Sequence, residues 1–344
     1  MNTAWIKSFP IVLATLLFLG CSNPTGNKAS ADKDPIFQSD SKLKKITDQI
    51  NKSPNNAALF FERGNMLYKM QLDSLALKDY KTASTLDTTK SEYYSAVGNL
   101  LFEHKDIAGS VEWIQKAIAR NPGDRKAHLK IAKLFLYIKD YKKAFEEINV
   151  ALRANVYDPE AYFLKGMVYK DMLDTTKAIS SFLTTLNVAP DYRPAMMQLG
   201  GLYAAKKDPL ALRYYDNAYL IDSNDVKPLF AKGVYYQHNK DYVAAKAEYK
   251  RCILRNRHFP DAYFNLGVIL FDQDSVEKAY RQYDLAAKID PRNSTIYFNR
   301  GLCAEMMDSI KNAINDYRIA IRMDTGYESP KEALRRLKVP TQDW

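Results

Sequence analysis

A small residue returns every 34 places through most of this chain. Gly64, Gly98, Ala132, Gly166, Gly200, Gly233, Gly267 and Gly301 are spaced by 34 residues at every step but one, and that step is 33. Twelve residues after each stands a second small side chain: Ala76, Ser110, Ala144, Ala178, Ala245, Ala279 and Ala313, with Ala211 one place early. Four further on comes a large one: Tyr80, Ile114, Ile148, Phe182, Tyr215, Tyr249, Tyr283 and Tyr317. A period of this length marks stacked supersecondary units, none of which can bury its apolar face alone. Gly or Ala midway along one helix lets an antiparallel helix approach closely, and the large residue fills the space that is left. A bulkier side chain there would overpack, at a cost of about 1–3 kcal/mol. Pro122, Pro190 and Pro291 fall where a unit ends, since proline cannot continue a helix. The single short step follows Lys206-Lys207-Asp208-Pro209, which predicts a turn one residue shorter than the others.

The pattern resembles the tetratricopeptide repeat. Residues 159–192 carry its aromatic, glycine, alanine and proline places as Tyr162, Gly166, Tyr169, Ala178, Phe182 and Pro190. Residues 260–293 do so as Tyr263, Leu266, Gly267, Ala279, Tyr283, Ala286 and Pro291. The resemblance covers eight repeats: 57–90, 91–124, 125–158, 159–192, 193–225, 226–259, 260–293 and 294–327. It implies an all-α fold, a right-handed superhelical α-solenoid of helix-turn-helix repeats with capping helices at both ends. Residues 41–56 are predicted as an N-terminal capping half repeat, with Ile46 in the aromatic's place and Pro54 in the proline's. Residues 328–344 are predicted as a C-terminal capping helix and tail, with Leu334 and Leu337 facing the stack. The end faces of an array need such polar covers to stay soluble.

The N-terminus has a different character. Lys7 precedes an apolar run from Ile11 to Leu19 and then Gly20-Cys21, the layout of a secretory signal. The run is shorter than the roughly 20 residues a membrane-crossing helix needs. Leu17-Phe18-Leu19-Gly20-Cys21 resembles a bacterial lipobox, from which it departs at Phe18 and Leu19. The resemblance implies removal of residues 1–20 as a signal peptide. It also implies a diacylglycerol thioether on Cys21 and an acyl chain such as palmitate on the new amino terminus. An ordinary signal peptide with a coincidental cysteine is the alternative. Ser22 follows, which the enterobacterial sorting rule associates with the outer membrane rather than the inner. Residues 21–40 carry no apolar period and are predicted as a flexible tether. The expected place is the bacterial cell envelope, lipid-anchored at the periplasmic face of the outer membrane.

In the family, the second, fifth, ninth, twelfth and thirteenth positions of each repeat line a concave groove. Carried onto this sequence, they define two zones. In the first three repeats they give Asn65, Asn99, Lys126 and Lys133, with Lys130 beside them. This set is partly like the carboxylate clamp of co-chaperone repeats, departing from it at Phe61 and Ala96, and it is a true clamp, a generally basic anion-tolerant groove or a plain solvated face. From the fourth repeat onward the same positions are apolar: Phe163, Met167, Met197, Phe230, Val234, Phe264, Val268, Phe271, Phe298, Leu302 and Met306. Val234, Val268 and Leu302 are the informative ones, because the family commonly has Asn at the ninth position. An apolar groove suits an amphipathic helix or extended segment of a protein or peptide partner. The alternative is that superhelical coiling buries these residues between neighbouring repeats.

Net charge is +10, from 50 Lys and Arg against 40 Asp and Glu, and it is spread along the chain instead of gathered in a run. A dispersed excess points to a solvated surface more than to a nucleic-acid site. Cys252 and Cys303 fall at small packing positions and are expected as buried free thiols. His104, His128, His238 and His258 lie in different repeats without metal-ligand spacing, and Glu146-Glu147 is expected to be solvated. There is no glycine-rich phosphate loop, nucleophile elbow or HExxH, and no unpatterned block of about 100 residues for a catalytic domain. No cofactor or metal is expected. The expected function is that of a membrane-anchored scaffold or adaptor for cell-wall enzymes, pili or a secretion apparatus. An envelope enzyme with a groove-borne site and a weak nucleic-acid-binding repeat protein are the alternatives.

Overall fold

The computed structural model describes residues 35–344, so the expected signal peptide, Cys21 and most of the expected tether lie outside the described residues. The chain forms two compact units, the first ending at Pro122 and the second spanning Gly123–Trp344. In the first unit a one-turn helix α1 (Ile36–Ser39) leads to α2 (Ser41–Lys52). The hairpins α3 (Ala57–Lys69) with α4 (Asp73–Leu86) and α5 (Ser91–Glu103) with α6 (Ile107–Arg120) follow. The second unit stacks α7 (Arg125–Tyr137) with α8 (Tyr141–Ala154), α9 (Pro159–Asp171) with α10 (Thr175–Val188), and α11 (Arg193–Ala205) with α12 (Leu210–Ile221). It continues with α13 (Lys227–His238) and α14 (Tyr242–Arg255), α15 (Pro260–Asp272) and α16 (Val276–Ile289), and α17 (Ser294–Met306) and α18 (Ile310–Met323). The helix α19 (Glu328–Arg336) and a 3-10 turn (Thr341–Asp343) close it. No strand occurs among the described residues.

Each hairpin closes as the spacing predicts. A methyl group added at Gly64, Gly166, Gly200, Gly233, Gly267 or Gly301 would stand 2.4 to 2.8 Å from the Tyr or Phe ring of the facing helix. At Gly98 it would meet Ile114 Cδ1 at 2.7 Å. Where Ala132 replaces glycine, the facing residue is the ringless Ile148, and both are buried.

The turns share one geometry that the sequence pattern did not announce. Seven residues after every small residue the backbone turns left-handed, at Gln71, Lys105, Lys139, Leu173, Lys207, Lys240, Asp274 and Asp308, with φ between 55° and 63°. The amide after each donates to the carbonyl five residues back, as from Asp174 to Tyr169 at 2.9 Å, which satisfies an end carbonyl of the first helix. That next residue then caps the second helix. Asp106, Asp140, Asp174 and Asp241 each accept a backbone N–H from three residues on. The short repeat keeps this turn, which corrects the expectation of a shorter one, and loses its residue just after it. Ala178 N bonds Asp174 O, four residues back, whereas Ala211 N and Leu212 N bond Asp208 O and Pro209 O, three back, so the missing residue is absorbed by a tightened first coil of α12.

A buried ionic register runs beside the glycine register. Arg63 donates twice to Asp79, at 2.6 and 2.8 Å, in the first unit. In the second, Lys232 meets Asp216 at 2.7 Å and Glu248 at 3.2 Å, and Arg300 meets Asp316 twice and Asp284 once, all within 2.9 Å. The cation directly precedes the small glycine, and the acid of the same repeat directly precedes the large residue. Glu147 holds the equivalent place in residues 125–158. The expectation that it is solvated is therefore corrected: it is largely covered and meets the buried His128 Nδ1 at 2.5 Å.

The end covers are close to expectation, with one correction. Residues 36–39, expected within the tether, form α1, and Phe37 is buried beneath the Arg63 guanidinium at 4.4 Å. An apolar ring over the cation shields the Arg63–Asp79 pair from water, a use that periodicity could not reveal. At the other end Leu334 is buried and Leu337 half-buried on α18.

Candidate functional site

Within the second unit the first helices also approach one another, α7 meeting α9 and α11 meeting α13, and their shared face is the candidate groove. Phe163, Met167, Met197, Phe230, Val234, Phe264, Val268, Phe271, Phe298 and Leu302 are all half-buried on it, and Met306 is 59% exposed. These side chains join helices together and still keep an open edge. Phe163, Phe230, Phe264 and Phe298 each tilt onto the ring of their own second helix, at 5.5 to 5.9 Å from Phe182, Tyr249, Tyr283 and Tyr317. Three of them also meet the aromatic that ends their own repeat, just before the next first helix, Tyr192, Phe259 and Tyr327, each at 5.3 Å. These partners were missed in the sequence, although each lies 29 residues after its phenylalanine. Between the rings, the ninth position supplies Met167, Val234, Val268 and Leu302, with Gly201 leaving a gap in the row.

Polar groups are set along the same face to hold the tyrosine hydroxyls. Tyr249 Oη donates to Gln237 at 2.7 Å, and Tyr317 Oη donates to Glu305 at 2.7 Å. Arg336 of α19 reaches the same Glu305 carboxylate at 2.8 Å, so the capping helix is pinned to the end of the groove. Burial pushes the Glu305 carboxyl up, but the hydrogen bonds from Arg336 and Tyr317 outweigh it and hold the group below the ordinary carboxylate range. Burial and the same carboxylate raise the Tyr317 phenol well above the ordinary range.

The polar zone of the first three repeats falls on both units. In the first unit, Asn65 accepts the Tyr80 hydroxyl at 2.9 Å, and Asn99 is half-buried. In the second, Lys133 donates to Glu160 at 2.5 Å, Lys130 is half-buried, and Lys126 is exposed. Asn65 and Lys133 are thereby each engaged within the protein. Phe61, which stands where a carboxylate clamp begins with Lys, packs on Tyr80 and Tyr93 at 5.6 and 4.9 Å.

Among the described residues no group of three or more His, Cys, Asp or Glu side chains is placed to hold a metal ion. Cys252 and Cys303 are fully buried free thiols, and burial pushes each up to about 12. Among the described residues no helix is long and apolar enough to cross a membrane.

The tetratricopeptide repeat profile matches residues 159–192 and, in a second form, residues 230–294. The chain is 24% identical over 173 residues to the BBSome complex member BBS4 of Bos taurus, covering 50% of this chain and 33% of that protein. It spans, then, a third of that relative's length. It is 22% identical over 237 residues to stress-induced-phosphoprotein 1 of Caenorhabditis elegans, covering 67% of this chain and 72% of the other. A tetratricopeptide repeat protein from Parabacteroides merdae has a similar solved structure, with a TM-score of 0.53 at 15% identity over 72% of this chain and 98% of that one. At this identity the structural likeness shows the fold alone.

Proposed function

The chain is a tetratricopeptide-repeat protein, and from that premise we propose that it is an adaptor whose second unit binds an amphipathic helix or extended segment of a partner protein. The observation that carries this reading is the half-buried apolar row of Val234, Val268 and Leu302, each beside a ring of the fifth position. An apolar stripe with one open edge matches the spaced apolar anchors of a helix or strand laid along it. A photo-crosslinking residue at Val268 should capture one partner in cells, while the same residue at the exposed Leu254 on α14 should not. Equal capture at both positions, or none at Val268, would count against the groove.

The second half of the proposal concerns place. The chain is held at the bacterial cell envelope by lipid on Cys21, most simply at the periplasmic face of the outer membrane, where it serves assembly or regulation of envelope machinery. What supports this is the sequence Leu17-Phe18-Leu19-Gly20-Cys21 after an apolar run, in residues outside the described part. Cys21→Ser should abolish incorporation of labelled palmitate and move the protein out of the membrane fraction. Unchanged labelling would remove the anchor from the proposal.

A further inference from the structure

The turn edge of the second unit carries a patch that folding does not explain. Of the eight left-handed turn positions, seven hold Gln, Lys or Asp, and one holds Leu173, with φ at 62° and 86% of its surface exposed. A left-handed backbone disfavours a branched apolar residue, and an exposed leucine contributes no core packing. Met172 beside it is 45% exposed, and the preceding turn adds Tyr137 at 63% and Ile138 at 51%. The two turns are neighbours, since Tyr141 Oη donates to Asp171 at 2.8 Å. The equivalent places two and three repeats further on are polar, Asn239-Lys240 and Gln273-Asp274, so the apolar pair is not a demand of the turn.

Charge around the patch is mainly positive, with lysines outnumbering carboxylates. The carboxylates of these turns are occupied: Asp140 and Asp174 cap their helices and pair with Lys143 and Lys177, Asp208 caps Leu210 N, and Asp171 takes the Tyr141 hydroxyl. Lys139, Lys142, Lys206 and Lys207 are exposed, and no carboxylate of the described residues pairs with them. Lys170 Nζ donates to Gln198 at 2.7 Å, which joins the end of α9 to α11, the helix that leads into the third of these turns.

Exposed apolar tips inside a collar of unpaired lysines match the two attractions of an anionic bilayer, an apolar boundary below and phosphates above. We propose that this edge, Ile138, Met172 and Leu173 with Lys139, Lys142, Lys206 and Lys207, seats on an anionic phospholipid surface. The inference stands apart from lipid attachment at Cys21 and is tested without it.

The chain from residue 22 onward, which keeps every described residue, is mixed with vesicles of phosphatidylcholine alone or of phosphatidylcholine and phosphatidylglycerol in a three-to-one ratio. Sedimentation should recover it with the mixed vesicles, weakly with the neutral ones, and less as salt rises. The pair Ile138→Asn and Leu173→Asp borrows residues that other repeats already hold at these places, so the turns remain formed, as circular dichroism should verify. It should weaken the association by about tenfold or more. Lys139→Glu with Lys206→Glu should do the same on mixed vesicles only. No association with mixed vesicles, the result expected if an acidic protein covers this edge instead, would overturn the proposal. So would equal association of the Ile138→Asn and Leu173→Asp protein, or equal binding to neutral vesicles.

Discussion

Two glycines of the second unit, one register apart in role, separate packing from propensity. Gly233 has no room for a methyl group, with Tyr249 Cε1 at 2.4 Å from where it would stand, whereas nothing lies within 4 Å of that place at Gly201. Gly233→Ala should therefore lower stability by about 1–3 kcal/mol through overpacking. Gly201→Ala, in an exposed helix interior, should raise it by about 0.5–1 kcal/mol. Urea unfolding midpoints of the two variants check both signs. The thiols make a second contrast at this scale. With Cys252 and Cys303 fully buried and held up to about 12, a thiol reagent at pH 8 should leave both unmodified in native Cys21→Ser protein and modify both once urea unfolds it.

At the scale of the element, the groove-end lock between α17 and α19 sets a pH dependence. Glu305 is held below its ordinary value of 4.5, so its contribution is complete above that pH and is lost as pH falls through the lower folded value. Because Arg336 is 58% exposed, screening limits the pair to about 1 kcal/mol. The difference in melting temperature between the native protein and Glu305→Gln should be present at neutral pH and shrink below pH 4. Which elements form was legible in the sequence, because a small residue and the large one facing it announce each hairpin, and the Lys206-Lys207-Asp208-Pro209 step marked the short repeat, though the coil after the turn is what shortens. The groove's apolar row was legible by position as well. Its side chains' contacts were not, because Glu305 and Arg336 belong to different periods, and Phe163 meets Tyr192 from the opposite end of its own repeat. Glu147 was misread for a related reason: a charged side chain on a helix looks solvated until the opposing His128 is placed beside it.

For the molecule as a whole, stability in each unit builds from neighbour to neighbour, so the last cover matters more than its short length suggests. Removing residues 328–344 would uncover Ala304, Tyr317 and Ile321 and delete the buried Leu334. One fully buried leucine is worth about 1.5–3 kcal/mol, which for a unit of this size lowers the melting midpoint by about 5–10 °C. A thermal scan should show that drop, and sedimentation velocity should show self-association through the bared face.

The ionic register also bears on how such an array could change over generations. Arg300 is satisfied by one acid of its own repeat and by Asp284 from the repeat before it, and Lys232 likewise draws on Asp216. These repeats are keyed to their predecessors. A recombination event that duplicated or deleted one of them alone would leave its cation on the acid of its own repeat, with one of two partners lost. Gain or loss in whole matched pairs would leave the charges balanced.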